Sequence, residues 1–374
     1  MLAVVGGIEY NPIDLNMAVE LLVNFHEFWA RLREDIAQAQ GSIWIQTFAF
    51  EGDSVGQELA DAVLAAPAQD KRILADSFTR VVLSDRFRYS PSNLFDKSLR
   101  SEAGATERMR CALKAAGVAI KFTNPFGASP RKLLSRNHKK LIVVDDSAAY
   151  IGGINFSEHN AAWHDMMLRI DDSEAISFLR NDFQSSWEGR DQSASAQFDG
   201  LELLLADGRQ NGNAFGRIIE LIDGARKSIV VESPYVTFPF YERLRAATRR
   251  GVGVTIITPE QNNWRFFANY ARLESARSGV DLRLFQGMSH LKAMLIDDEY
   301  LVCGSSNFDY LSYRIHQELI AVITTPDVIA DFRARVMLPD LANARSVEGN
   351  ASAIGQRWLS WQTKLIDAAV TTLT

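Results

Sequence analysis

Two stretches of the chain carry the same chemically capable residues at the same spacing. In the first, His138-x-Lys140 precedes four apolar residues and Asp145, and six residues later comes Gly152-Gly153-Ile154-Asn155. In the second, His290-x-Lys292, Asp297 and Gly304-Ser305-Ser306-Asn307 repeat the intervals. A lone His-x-Lys-x4-Asp is a weak signal, but two complete copies with matching tails are not coincidence. Residues i and i+2 of an extended segment share a face, so His138 and Lys140 project together. A turn at Asp145–Ser147 then brings Asn155 back to the sheet end where His138 began. Gly152 and Gly153 are expected to let the backbone pass close to a bound group.

Two such half-sites facing each other offer two imidazoles, two ammonium groups and two carboxamides, an inventory suited to a phosphodiester. Lys140, Lys292, Asn155 and Asn307, with Ser305 and Gly153 beside them, would hold phosphate oxygens as charge builds up. One histidine can attack phosphorus while the other protonates the leaving alcohol. Neither step needs a metal, and no ligand-spaced cluster is evident, so no cofactor is expected. A nucleophilic imidazole needs its second nitrogen held by an acceptor. Asp165 follows His138 by 27 residues and Glu318 follows His290 by 28, each opening a matching strand. Asp145 and Asp297 belong to the repeated motif and are grouped with its catalytic residues. Their place in turns, however, marks them as acceptors for turn N–H groups.

The elements that position these residues also repeat. Helical and short apolar strand-like segments alternate through both halves, as in an α/β protein whose sheets are covered by helices. Ile43 aligns with Ile229 at an offset of 186 and His138 with His290 at 152, so the first half holds 34 extra residues between them. The Arg80–Glu102 stretch is the expected place for that insertion. Asn16–Gln40 reads as one helix, and Gly189–Gly200 reads as a linker without periodicity. The expected domains are therefore 1–192 and 198–374, two similar α-β-α sandwiches related by a pseudo-twofold with the site at their interface.

Composition agrees. At 374 residues, 47% hydrophobic and 23% charged, the chain is long enough for two globular domains and unlike a disordered or coiled-coil sequence. A net charge of −6 argues against a general nucleic-acid binder. Cys111 and Cys303 are too few for a disulfide framework and fit a reducing compartment; Cys303 reads as a core thiol. The N-terminal residues lack a signal-peptide pattern, and apolar runs are too short to span a bilayer.

The duplicated motif resembles that of the phospholipase D superfamily, His-x-Lys-x4-Asp-x6-Gly-[Gly/Ser]-x-Asn. The resemblance covers nearly the whole chain, including IWIQTFAFEGDSVG in the first half and HLKAMLIDDEYLVCGSSNFD in the second. It is greatest to bacterial cardiolipin synthases and related phosphatidyltransferases. It implies that His138 is the nucleophile, that His290 is the general acid, and that a phosphohistidine forms without metal. The implied partners are a glycerophospholipid such as phosphatidylglycerol and an alcohol or water acceptor, met peripherally at the inner, cytoplasmic membrane surface. Nucleic acid is an unlikely partner, and no oligomer is required because both half-sites lie in one chain. Three positions depart from the cardiolipin synthase pattern: Leu311 replaces the usual Arg, His316 the usual Asn, and Trp163-His164-Asp165 the commoner Trp-Arg-Asp. The runner-up activity is a nuclease of the same superfamily; a non-catalytic lipid-binding scaffold is the third reading. Among peripheral features, His164 and His316 flank Asp165 and Glu318 as candidate pocket residues, whereas His26 and His159 read as structural or solvated. The basic run Arg131, Lys132, Arg136, Lys139 could hold a lipid headgroup. Phe87, Tyr89 and Phe95 in the insertion could form a lid or membrane-touching loop, and Ala353–Leu373 reads as a helix with two tryptophans on one face.

Overall fold

The strands are short apolar runs with a two-residue period, and the longer amphipathic stretches between them are helices. The computed structural model of the chain describes residues 18–127 and 130–347, so the helix expected at 353–373 lies outside the described residues. One sheet contains β1 (Val19–Val23), β2 (Ser42–Thr47) and β3 (Asp70–Asp76), and a separate small hairpin follows as β4 (Val82–Leu83) and β5 (Arg86–Phe87). The same sheet continues with β6 (Ala119–Thr123), β7 (Leu141–Val144), β8 (Ala148–Gly152) and β9 (Met166–Ile170). The second sheet contains β10 (Ala194–Phe198), β11 (Leu201–Asp207), β12 (Ser228–Glu232), β13 (Gly253–Pro259) and β14 (Asp281–Phe285). It is completed by β15 (Ala293–Ile296), β16 (Tyr300–Gly304), β17 (Gln317–Ile323) and β18 (Arg345–Ser346).

The strand orders establish the duplication. The first sheet runs β1-β9-β8-β7-β2-β3-β6, and the second contains β11-β17-β16-β15-β12-β13-β14, the same order strand for strand. In each, three parallel strands with helical crossovers adjoin an antiparallel hairpin that carries the motif.

Three boundaries differ from the sequence reading. The segment expected to be one helix from Asn16 begins instead with β1, because Val19–Val23 pairs antiparallel with β9 along its whole length. The helix starts at Asn24, whose positive φ of 65° breaks the strand. The expected linker Gly189–Gly200 contains β10, which pairs with β11, so the second sheet begins at Ala194. Most of the extra residues of the first half fall in two places. Residues 77–118 separate β3 from β6 where 260–280 separate β13 from β14, and 124–140 precede β7 where 286–292 precede β15.

Strand alternation sorts side chains into three cores. Leu141 and Val143 of β7 point inward with Ala293 and Leu295 of β15, into one core shared by both sheets. Ile142 and Val144 point the other way, under the helices Asn24–Gln38, Ser54–Ala65 and Lys97–Ala115. Met294 and Ile296 likewise lie under Gly212–Gly224, Phe240–Arg249 and Arg265–Ser278. The middle layer also takes Ile176, Leu179 and Phe183 from the helix Ser173–Trp187 and Val328, Ile329 and Phe332 from Pro326–Phe332. Because the two sandwiches share this layer, Phe183→Ala is expected to cost about 3–5 kcal/mol. Calorimetry should show the loss in one transition for both halves; two separated transitions would mean that the halves unfold independently.

Candidate active site

Both motif histidines sit just before a hairpin strand, and each is pinned by backbone hydrogen bonds to the opposite half. The His138 N–H donates to the Gln317 carbonyl at 2.9 Å, and the Gln317 N–H donates to the Arg136 carbonyl at 3.0 Å. The His290 N–H donates to the His164 carbonyl at 2.7 Å, and the His164 N–H donates to that of Met288 at 3.1 Å. The next residue after each bridging partner is an acid. Glu318 therefore faces His138, with its Oε1 3.2 Å from Nδ1, and Asp165 Oδ2 lies 2.7 Å from His290 Nδ1. The pairing is thus crossed: each carboxylate serves the histidine of the other repeat, not the one it follows in sequence.

The cleft is buried and rich in cations. Lys140 and Lys292 are almost fully buried, and among the described residues neither ammonium has a carboxylate within 4.0 Å. Lys140 Nζ donates to the His138 carbonyl at 2.7 Å, and Lys292 Nζ lies 2.9 Å from His290 Nδ1. Burial and the charge of Lys292 bring Lys140 down to about 7, and burial brings Lys292 down to about 8. Burial and the neighbouring Lys140 push His138 down to about 3, against the opposing pull of Glu318. His290 falls to about 4 through burial and Lys292, against Asp165. Burial alone would raise Glu318, but His138 and His316 beside it hold its carboxyl well below the usual range.

The other expected site residues divide. Asn155 and Asn307 are buried, and their Oδ1 atoms have no hydrogen-bond partner among the described residues. A phosphate oxygen would be met by their amide N–H groups, and Asn155 Nδ2 also donates to Asn160 Oδ1 at 3.1 Å. Ser305 was expected to touch phosphate, but its hydroxyl donates to Glu318 Oε2 and accepts from the Leu319 N–H at 3.0 Å. Gly153 makes room for protein instead of ligand, since a Cβ there would lie 2.3 Å from Asp165 Oδ1. Asp145 and Asp297 are not in the cleft. At the far end of each hairpin, Asp145 accepts the N–H groups of Gln40, Gly41 and Ser42, and Asp297 those of Arg226, Lys227 and Ser228. Grouping them with catalytic residues is therefore corrected; both fasten a hairpin turn to the strand beside it.

His164 braces the halves, its two nitrogens lying 2.7 Å from Asn24 Oδ1 and 2.9 Å from Asp340 Oδ2. His316 does line the cleft, with its ring centroid 5.7 Å from that of His138. Of the expected basic run, Arg136 pairs with Asp76 and Lys139 with Asp182, all four buried, while Lys132 is exposed. Cys303 is buried, which pushes its thiol up to about 12 and makes it inert. Sequence reasoning missed Phe48, which packs edge-on against His138 at 5.2 Å, and Ser312, which donates to Glu318 Oε1 at 2.9 Å. Phe48 lies one residue beyond the end of β2, within the apolar run that the sequence marks as a strand, but nothing local marks Ser312.

The cardiolipin synthase, PLD-like domain family matches residues 32–187 and 218–336. Cardiolipin synthase 1 of Staphylococcus epidermidis is 26% identical over 351 residues, covering 85% of this chain and 66% of that protein. The chain thus spans just under two thirds of that relative's length. Cardiolipin synthase A of Pseudomonas putida is 28% identical, covering 90% of this chain and 71% of its own. Phosphatidylserine synthase of Haemophilus influenzae superposes with a TM-score of 0.69 at 14% identity over 95% of both chains, a likeness of fold.

The low basicity of these buried cations makes anion binding proton-linked. Inorganic phosphate should raise the pKa of Lys140, Lys292 and His290, so its binding at pH 7.5 should take up about one proton. Calorimetric titration in buffers of different ionisation enthalpy measures this uptake, and no dependence on buffer would contradict the electrostatics described.

Proposed function

The chain belongs to the phospholipase D-like family of cardiolipin synthase type, and we propose that it transfers phosphatidyl groups through a phosphohistidine, without a metal. The observation that carries this reading is the pair of crossed histidine–carboxylate contacts beside two buried lysines. His138, neutral above about pH 3, attacks phosphorus with its Nε2 lone pair while Glu318 holds the Nδ1 side. The P–O bond to the departing alcohol breaks, and a proton from His290 completes that alcohol. His290 is the more basic imidazole, and its 2.7 Å contact with Asp165 favours the charged form. A phosphodiester arriving beside Lys140 and Lys292 favours that form further. Neutral His290 then takes the proton of a second alcohol, or water, which attacks the phosphohistidine and frees His138. Lys140, Lys292, Asn155 and Asn307 hold the non-bridging oxygens.

Phosphatidylglycerol is the proposed donor, since the family resemblance implies it and the relatives are named as cardiolipin synthases, and the proposed place of action is a membrane surface. No helix among the described residues is long and apolar enough to cross a membrane. Phe87, Tyr89 and Phe95 are 50%, 55% and 79% exposed on the insertion after β3, among Arg86, Arg88, Lys97 and Arg100. Asp85 of that insertion accepts from Asn263 at 3.1 Å, next to Trp264, which is 60% exposed. Aromatic rings among cations suit the interface of an anionic bilayer.

Mass spectrometry of lipids after incubation with phosphatidylglycerol vesicles should show cardiolipin and glycerol. His138→Asn and His290→Asn should each lower the yield about a thousandfold or more, and a chelator should leave it intact. Phosphatidic acid alone would make the enzyme a hydrolase. Degradation of single-stranded DNA with intact lipid would overturn the lipid reading. Combined Phe87→Ser and Phe95→Ser is expected to weaken vesicle sedimentation about tenfold or more while sparing turnover of a short-chain, monomeric phosphatidylglycerol. Unchanged sedimentation would remove this loop from the membrane contact.

A further inference from the structure

His316 stands in the cleft with no part in the transfer reaction proposed above, and its Nδ1 has no hydrogen-bond partner among the described residues. That nitrogen lies 3.8 Å from Glu318 Oε1, and His138 Nδ1 lies 3.2 Å from the same oxygen. A ligand atom from each of the three residues lies within 4.8 Å of the others. A tetrahedral ion with bonds of about 2.0 Å separates its ligands by about 3.3 Å, and the two nitrogen–oxygen spacings of 3.2 and 3.8 Å lie near that value. The carboxylate is already oriented, by Ser312 on Oε1 and Ser305 on Oε2, as ligating carboxylates are in metal sites. Two imidazoles and one carboxylate with a fourth position open form a ligand set that zinc prefers. The sequence reading foresaw no such cluster, because His138 lies about half the chain away from the other two.

We infer that His138, His316 and Glu318 form an inhibitory site for a divalent transition metal, zinc above all, built around the reactive histidine. Binding needs no part of the proposed function, but silencing rests on it. An ion on Nδ1 of His138 takes the place of the Nδ1 proton, which moves to Nε2. The lone pair that would attack phosphorus is then tied up in an N–H bond, and Glu318 is withdrawn to the metal. The ion thus stores the enzyme in an inactive form that a chelator releases.

The probe is zinc chloride, titrated into the full chain in competition with a chromophoric chelator. Wild-type protein should bind one equivalent, and His316→Asn should bind it about a hundredfold more weakly or worse. Zinc should raise the thermal midpoint of the wild type and leave that of the variant unmoved. The His316 side chain approaches Glu318 Oε1 only to 3.8 Å, and its backbone N–H and carbonyl contacts to Leu311 and Asn211 survive substitution, so the variant should fold. Zinc should inhibit the wild type reversibly and leave whatever turnover the metal-free variant shows unchanged. Equal zinc affinity in the two proteins would overturn the site. Zinc bound through His316 with undiminished lipid turnover would leave the metal site standing and remove His138 as nucleophile. Should neither protein turn over lipid, the binding and thermal measurements still decide the site.

Discussion

The site depends on two short backbone bridges that tie the halves together. Asn137 pairs with Gln317 and His164 with Ser289, each in a parallel register. Each bridge lies next to one histidine and one acid from opposite repeats, so two backbone hydrogen bonds set the approach of each imidazole to its carboxylate. Rotation of one sandwich against the other would break both bridges and both contacts together. The shared middle core opposes such rotation, because apolar residues from both sheets and from the helices Ser173–Trp187 and Pro326–Phe332 fill one continuous layer. Catalytic geometry and fold stability thus rest on the same interface.

That interface also stores electrostatic tension. Lys140 and Lys292 are buried beside two histidines, and the nearby carboxylates hold imidazoles, not ammonium groups. Burying a cation without a close counter-ion disfavours its charged form, which is why both lysines titrate near neutrality. In the reaction proposed above, a phosphodiester would supply the missing negative charge. It would restore the lysines to full charge and favour protonated His290, so the ligand would prepare the acid that its own cleavage requires. The same burial keeps the His138 imidazole neutral, the form in which a ring nitrogen can ligate a metal.

Much of this was legible in the sequence because the duplication displays it twice. The identical intervals from His138 to Asn155 and from His290 to Asn307 placed both half-sites, and the continuous apolar runs Leu141–Val144 and Ala293–Ile296 placed the strands beneath them. The errors lie where local pattern and tertiary pairing compete. Val19–Val23 runs directly into a helix with a compatible apolar pattern, so only its pairing with β9 marks it as a strand. Ala194–Phe198 is small and polar, yet becomes a strand because β11 offers it an edge. Ser305 and Gly153 fit a phosphate by residue type, but the structure commits one to Glu318 and the other to clearance for Asp165.

By itself, the sequence determined the residue inventory, the two-fold repetition, the sheet end at which each half-site lies and the turn role of Asp145 and Asp297. Those features follow from spacing along one strand or hairpin, where a few backbone torsions fix geometry. Only the tertiary structure decided that Asp165 serves His290 and Glu318 serves His138, and that His316 comes to rest beside His138. Such contacts join residues 125 to 180 positions apart. They exist because the two sheets pack on a common core, a constraint that no interval within either repeat records.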